Sequence, residues 1–292
     1  ISKIFPTYKG MNYVEGGIID PLWKFKNHVQ LATNTDTRLV DVGKLFKKEV
    51  IAWAAQKKLE EIASEIVINA VEHTGITNVI LTGGVVMNMI MNMKIREKLG
   101  KHCQIFFNPI CGDLGNAVGA VFEQYFVETG KNISHPNMPL YFGPSYQDEE
   151  VIVALNRLNL KFEKVDKIQA ATDLITRGKI VGWFQGKSEL GSRGLGNRSI
   201  LSLADDLEYK NRMNNKVKKR ESWRPFCPTI VEKKASYFLE DSTYAPYMIL
   251  GFKMKNTHEA NAVCHVDNTC RPQVLRRQDN LSFYDVVKES GE

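Results

Sequence analysis

An α/β architecture with a largely parallel sheet is the fold class this sequence predicts. Between residues 78 and 128, short apolar runs of strand length alternate with helical segments, the pattern of a layered α/β fold. Both strand-like runs end in glycine-bearing turns, and folds of this class bind ligands at the carboxyl ends of their strands. Composition agrees: 292 residues at 43% apolar are ample for one large domain or two ordinary ones.

Taken in order, residues 1–40 carry little pattern beyond Gly16-Gly17 and a Thr/Asn/Asp-rich loop. Asp41 reads as a helix N-cap. Over 42–73, Phe46, Val50, Trp53, Leu59, Ile62, Ile66 and Ala70 recur at helical spacing, which predicts a long core-packing helix stopped by Gly75. A strand at 79–81, the tight turn Thr82-Gly83-Gly84 and a helix over 85–99 follow, with Gly100 as the stop. A second strand at 104–107 feeds a loop that runs to Gly115, and a helix over 116–128 comes next. The Pro/Gly/Asn-rich stretch 132–146 reads as a linker. Helices are expected at 148–159, 168–177 and 231–239, strands at 180–184 and 247–252, and the start of a last helix within 279–292.

The chemistry concentrates after the strand at 180–184. Gln185-Gly186-Lys187 leads into Gly191, Gly194 and Gly196, interleaved with Arg193 and Arg198. Then come Lys216, Lys218, Lys219, Arg220 and Arg224, closed by Pro225 and Pro228. Glycine lets backbone N–H groups approach a ligand, and Arg offers a planar fork for phosphate or carboxylate oxygens. Together they predict a small polyanionic ligand. For the lysine run alone, a solvated helix face is the alternative.

Gly83-Gly84 is either a phosphate cradle at a helix N-terminus or a plain turn. Asp113 either binds a metal or a ribose hydroxyl, or caps the following helix. His265, Asp267 and Arg271 either serve one anionic ligand, with His265 as acid or base, or form a satisfied His–Asp pair in a loop.

The net charge of +6 tolerates acidic substrates and demands none. The five cysteines are irregularly spaced without a CxxC pair, which argues for neither a zinc knuckle nor a disulfide framework and predicts reduced thiols in the cytoplasm. No run approaches the roughly 18 apolar residues of a membrane span, and there is no leader of the signal-peptide type. The chain opens on Ile1, so a fragment or processed chain is expected.

Three blocks together resemble one family. They are Leu81-Thr82-Gly83-Gly84-Val85-Val86-Met87-Asn88 with Cys111-Gly112-Asp113-Leu114-Gly115-Asn116; the run from Gly186 to Leu201 with Val217-Lys218-Lys219-Arg220-Glu221-Ser222-Trp223-Arg224-Pro225-Phe226; and His265-Val266-Asp267-Asn268-Thr269-Cys270-Arg271. Their order and identity resemble the O-carbamoyltransferases of the nodulation-protein-U and tobramycin-carbamoyltransferase family, from about residue 40 onward. The resemblance implies part of an actin-like ATPase-fold lobe at 1–140 and a YrdC-like α/β domain at 141–292.

It also implies an activity. The downstream module makes carbamoyl adenylate from carbamoyl phosphate and ATP, and the upstream one passes the carbamoyl group to a hydroxyl of a sugar-like or natural-product acceptor. Lys187, Arg193, Arg198, Lys218, Arg220 and Arg224 would then hold the polyanion, with His265, Asp267 and Arg271 completing the pocket. Gly83, Gly84, Asn88 and Gly112 would contact nucleotide, and Asp113 would ligate a divalent metal, iron or magnesium. Departures fall at Leu190-Gly191-Ser192-Arg193-Gly194 and at Asn268 and Cys270, where the family has other residues, although the charged positions persist. The family's amino-terminal lobe with its metal-binding histidines, and its carboxyl-terminal segment, are not in this chain, so a central fragment is expected. A homodimer is one option for its assembly; a membrane partner is not expected. The rival readings are an RNA-binding protein of tRNA modification and a non-catalytic ATP-binding module. Few aromatic residues are interleaved with the basic ones, which counts against RNA.

Overall fold

In a computed structural model of the chain, residues 7–8, 14–15, 46–133 and 140–291 are described. The architecture is mixed α/β, built from helices and small two-stranded sheets. It divides into two compact units, residues 1–81 with 90–106, and residues 82–89 with 107–292.

In the first unit, β1 (Thr7–Tyr8) pairs antiparallel with β2 (Val14–Glu15). Helix α1 (Lys48–Thr74) ends at Gly75, whose left-handed φ of 70° lets its N–H return to Val71 O. Strand β3 (Asn78–Leu81) pairs with β4 (Gln104–Phe107), and α2 (Met89–Leu99) lies between them in sequence. Val79 and Leu81 alternate with exposed Asn78 and Ile80, as a strand with one covered face requires. The core joins Val67 of α1 to Met91, Ile95 and Leu99 of α2 and to Cys103, with Val79, Leu81 and Ile105 packed against it.

Three expectations need correction here. Among the described residues the helix begins at Lys48, preceded by non-helical Phe46 and Lys47, and the expected cap Asp41 lies outside the described residues. The apolar stripe read from the sequence is also only partly buried: Phe46, Val50, Trp53 and Ile66 are exposed, while Ala54, Glu60, Ser64 and Val67 are buried. Length explains part of this. The 27 residues of α1 run about 40 Å and the 11 of α2 about 16 Å, so only the later turns of α1 meet the α2 core. The helix expected over 85–99 is also divided. A 3₁₀ turn, Gly84–Met87, is followed by extended Asn88 before α2 begins.

In the second unit, α3 (Leu114–Thr129) is followed by α4 (Asp148–Arg157) and α5 (Lys167–Thr176). Asp166 caps α5 through Ile168 N–H and Gln169 N–H. Strand β5 (Val181–Phe184) pairs antiparallel with β6 (Arg198–Leu201), which makes the glycine stretch the connection of a hairpin. After α6 (Leu207–Arg212) comes a π-helical turn, Met213–Lys218. Strand β7 (Thr229–Val231), α7 (Glu232–Phe238), β8 (Phe252–Lys253), β9 (Thr269–Cys270), β10 (Gln273–Leu275) and α8 (Leu281–Ser290) complete it. Ala171 and Ile175 of α5, Trp183 of β5, Leu275 of β10 and Phe283 and Val286 of α8 form one core.

Every sheet among the described residues has two strands, so one largely parallel sheet is not what they build. β7 and β10 are parallel, whereas β1–β2, β5–β6 and β8–β9 are antiparallel. The alternation of strands and helices located the elements but left their partners open, because pairing is fixed by the far ends of the chain that each strand meets. The strand expected at 247–252 is reduced to Phe252–Lys253. Met248 takes a left-handed φ of 54°, which interrupts an extended run.

Candidate active site

Glu189 organises the glycine connection between β5 and β6. Its Oε1 accepts N–H bonds from Leu195 at 2.7 Å, Asn197 at 2.8 Å and Arg198 at 3.2 Å. A carboxylate that gathers three amides from the four residues 195–198 fixes the loop much as an anion would. Gly196 is required twice over. Its φ is +106°, and a Cβ there would stand 2.2 Å from the Phe283 ring. Trp183 Nε1 and Gln185 Nε2 both donate to Gly196 O. Gly194 is equally confined, since a Cβ would meet Arg198 O at 2.4 Å.

The two arginines of this loop differ. Arg198 donates to the carbonyls of Gln185 at 2.6 Å, Asn197 at 2.9 Å, and Pro144 and Gly186 at 3.1 Å each. Its guanidinium also lies 3.6 Å over the Phe184 ring. With four of five donors committed to main chain, Arg198 is a clamp on the loop. Arg193 has no carboxylate partner among the described residues. Burial first, and then the nearby Arg271 charge, push its pKa down, while Cys227 and Cys111 oppose that. Lys187 is exposed, and only its carbonyl is engaged, by Asn197 Nδ2 at 2.6 Å.

The second basic cluster hangs on Asn214, which is fully buried. Its Nδ2 donates to Ser222 O at 3.2 Å and Arg224 O at 3.0 Å, and its Oδ1 accepts from Arg220 Nε at 2.7 Å. Lys219 turns left-handed at φ 46° and ends the π-helical turn. An open cleft of about 600 Å³ results, lined by Asn215, Lys219, Arg220, Glu221 and Arg224. Desolvation first, then Arg224, lower the Arg220 pKa. Arg224 reaches Glu221 at 3.8 Å and stays half exposed, and Lys218 is exposed. The wide cationic cleft suits an anion larger than the loop's own carboxylate.

The third segment approaches the first through sulfur. Arg271 donates from Nε and Nη2 to Cys227 Sγ at 3.1 and 3.0 Å. The Arg271 charge lowers the Arg193 pKa and Cys227 raises it, so the three share one electrostatic neighbourhood. His265 and Asp267 do not bond each other; both bind Thr269 Oγ1, at 3.0 Å from His265 Nδ1 and 2.7 Å from Asp267 Oδ1. Burial lowers the His265 pKa, with Arg271 and Lys210 acting in the same direction and Asp267 against them. Neutral imidazole at neutral pH follows.

Ile110 and Val118, on either side of Asp113, pack with Leu190, Leu195 and Cys227 in one cluster. The loop of Gly112 and Asp113 thereby joins the glycine stretch. A Cβ at Gly115 would lie 2.1 Å from Ile110 O, which explains the glycine after Asp113. Asp113 stands at the N-cap position of α3 without a side-chain cap bond, and its side chain is exposed. A metal fits poorly on these residues: among the described residues no three His, Cys, Asp or Glu side chains gather to hold one. Around Gly83, Gly84 and Gly112 a Cβ would meet nothing within 4 Å, so these backbones face open space. Asn88 closes the 3₁₀ turn through its N–H to Val85 O.

Sequence reading did not single out Glu189, Asn214, Thr269 or Cys227 as organisers. Glu189 alone carried a signal, as an acidic residue inside a basic, glycine-rich run. The others engage partners that only folding supplies.

Comparison with known proteins gives this site its relatives. The carbamoyltransferase N-terminus family model matches residues 23–122, and the carbamoyltransferase C-terminus model matches residues 172–292. Nodulation protein NolO of Bradyrhizobium diazoefficiens is 36% identical over 243 residues, 78% of this chain and 44% of that protein. Nodulation protein U of Sinorhizobium fredii is 30% identical over 236 residues, 79% of this chain and 40% of that protein. The 3'-hydroxymethylcephem-O-carbamoyltransferase of Streptomyces clavuligerus is 30% identical over 214 residues, 72% of this chain and 39% of that protein. The chain thus spans 39 to 44% of the length of these three relatives.

Proposed function

The chain belongs to the carbamoyltransferase family, and on that premise we propose that it serves carbamoyl transfer from carbamoyl phosphate, with ATP, to a hydroxyl of a small-molecule acceptor. The observation that carries this reading is the open cleft lined by Lys219, Arg220 and Arg224, joined by Arg271 on Cys227 and by Arg193, which has no carboxylate partner among the described residues. Like charges held close call for an anionic ligand.

Water attacks the carbonyl carbon of carbamoyl phosphate and releases phosphate. A carbamate oxygen then attacks the α-phosphorus of ATP and releases pyrophosphate, leaving carbamoyl adenylate. The acceptor hydroxyl bonds to the carbamoyl carbon, AMP leaves, and the hydroxyl proton passes to a base.

Arg193 and Arg271 would hold one anion, and Lys219, Arg220 and Arg224 the other, countering the charge that builds during transfer. His265, neutral and half-buried, would take the proton of the attacking water. Gly83, Gly84, Asn88 and Gly112 would meet nucleotide through open backbone. By its motifs the chain divides into an actin-like module at 1–140 and a YrdC-like module at 141–292, a division that differs from the two compact units. All five cysteines are free thiols, which fits a reducing cytoplasm. No helix among the described residues is long and apolar enough to cross a membrane.

The test is pyrophosphate release from ATP by the full-length protein, with and without carbamoyl phosphate, with Arg193→Ala as the control. Release that needs carbamoyl phosphate and is lost in the variant supports the reading. Absence of release in every condition removes it.

A further inference from the structure

We propose that Thr269 is a positioning residue that fixes His265 in the tautomer with its proton on Nδ1, leaving the Nε2 lone pair for the ligand. What the base acts on rests on the carbamoyl-transfer reading; where the proton sits does not.

A single hydrogen decides the tautomer. Thr269 is buried, 3% exposed, at the start of β9. Its hydroxyl stands 2.7 Å from Asp267 Oδ1 and 3.0 Å from His265 Nδ1. A carboxylate only accepts, and a hydroxyl has a single proton to give. That proton goes to Asp267. Toward His265 the hydroxyl oxygen is therefore the acceptor, and Nδ1 must be the donor. In a neutral imidazole Nε2 is then bare.

The turn around it leaves little freedom for another arrangement. His265 N–H donates to Thr269 O at 2.8 Å, Asn268 N–H to His265 O at 3.0 Å, and Thr269 N–H to Asp267 Oδ1 at 3.2 Å. Asn268 is left-handed at φ 58°, a conformation that Asn accepts more readily than most residues. Met254 N–H binds Asn268 O at 2.8 Å and β8 pairs with β9, which tie the turn to the next strand.

Asp267 and Arg271 face the ring from its own segment and Lys210 from α6, with burial as the largest influence and the net effect favouring neutral imidazole. The same Lys210 and Asp267 act on the neighbouring Cys264 thiol, which burial pushes up and so keeps protonated. The Asp267–Thr269–His265 chain therefore works as an orienting relay: the carboxylate sets the hydroxyl, and the hydroxyl sets the ring.

The experiment uses the full-length protein labelled with ¹⁵N-histidine, with His265→Gln to assign the signal. Long-range ¹H–¹⁵N spectra of the wild type should show Nδ1 protonated and Nε2 bare. Thr269→Val keeps the shape and removes the hydroxyl, and should give mixed tautomers; Thr269→Ser should keep the wild-type pattern. In the pyrophosphate assay, Thr269→Val should lower kcat by about tenfold with little change in KM, and Thr269→Ser should recover most of it. The acid limb of the pH profile should move to lower pH in Thr269→Val, because the imidazolium loses an acceptor for one of its two protons.

A wild-type ring protonated on Nε2 would overturn the proposal. So would a Thr269→Val protein whose tautomer and pH profile are unchanged while only its melting temperature falls. If the wild type releases no pyrophosphate, the carbamoyl-transfer reading falls, and the tautomer spectra still decide the role of Thr269.

Discussion

The glycine connection at 185–198 and the basic loop at 213–226 both looked like cationic ligand loops, yet they are built on opposite principles. The first is closed upon itself. Glu189 takes three amides, Arg198 gives four bonds to carbonyls, and Gly196 sits against the Phe283 ring. The second has one buried organiser, Asn214, and its cations line an open cleft. Arginines of one sequence block therefore divide between building the site and facing what enters it. Residue type did not decide which; the number of nearby carbonyls did.

The comparison breaks most sharply at Gly196. Gly196→Ala meets both a positive φ and the Phe283 ring, and should cost about 4 kcal/mol in urea unfolding, adding strain to overpacking. A cost below about 1 kcal/mol would mean that the closed loop is softer than its contacts imply.

Next come the paired arginines. Arg198→Ala removes a donor from four carbonyls, of which Asn197 O and Pro144 O keep a backbone N–H, and should lose about 2 kcal/mol of stability. Arg224→Ala should lose less than about 0.5 kcal/mol, because its contact with Glu221 is a 3.8 Å exposed pair. Pyrophosphate release should fall about a hundredfold in Arg224→Ala, with its fold intact by circular dichroism. Equal stability losses in the two variants would erase the distinction between clamp and ligand residue.

The smallest effect sharpens the picture through pH. Burial lowers the His265 pKa below its ordinary 6.5. Between the folded value and 6.5 the unfolded chain binds the extra proton, so stability rises with pH through that window and is lost as pH falls. His265→Gln should flatten this part of a stability curve measured from pH 5 to 7. An unchanged slope would assign the acid sensitivity to other groups.

Much of this was legible in advance. The strand at 104–107 and the stops at Gly75 and Gly100 agree with the structure, and the helices expected at 116–128, 148–159 and 168–177 fall within a few residues of α3, α4 and α5, whereas α6 was not foreseen. These depend on local signals: glycine tolerating φ above zero, and acidic residues or Asp at helix starts. The buried face of α1 was misread, because Trp53 and Val50 fit the helical period as well as Val67 does and only the reach of α2 separates them.

What the sequence determined by itself is the family, the position of each basic, glycine-rich block and the local backbone that glycine and Asn positions demand. Those follow from residue identity and short spacing. What the tertiary structure decided is partnership. It set Arg198 on carbonyls and Arg271 on Cys227, put Thr269 between Asp267 and His265, and packed Ile110 against Leu195. A side chain's donors go to the acceptors that folding brings within about 3 Å, and no local pattern in the sequence names those acceptors.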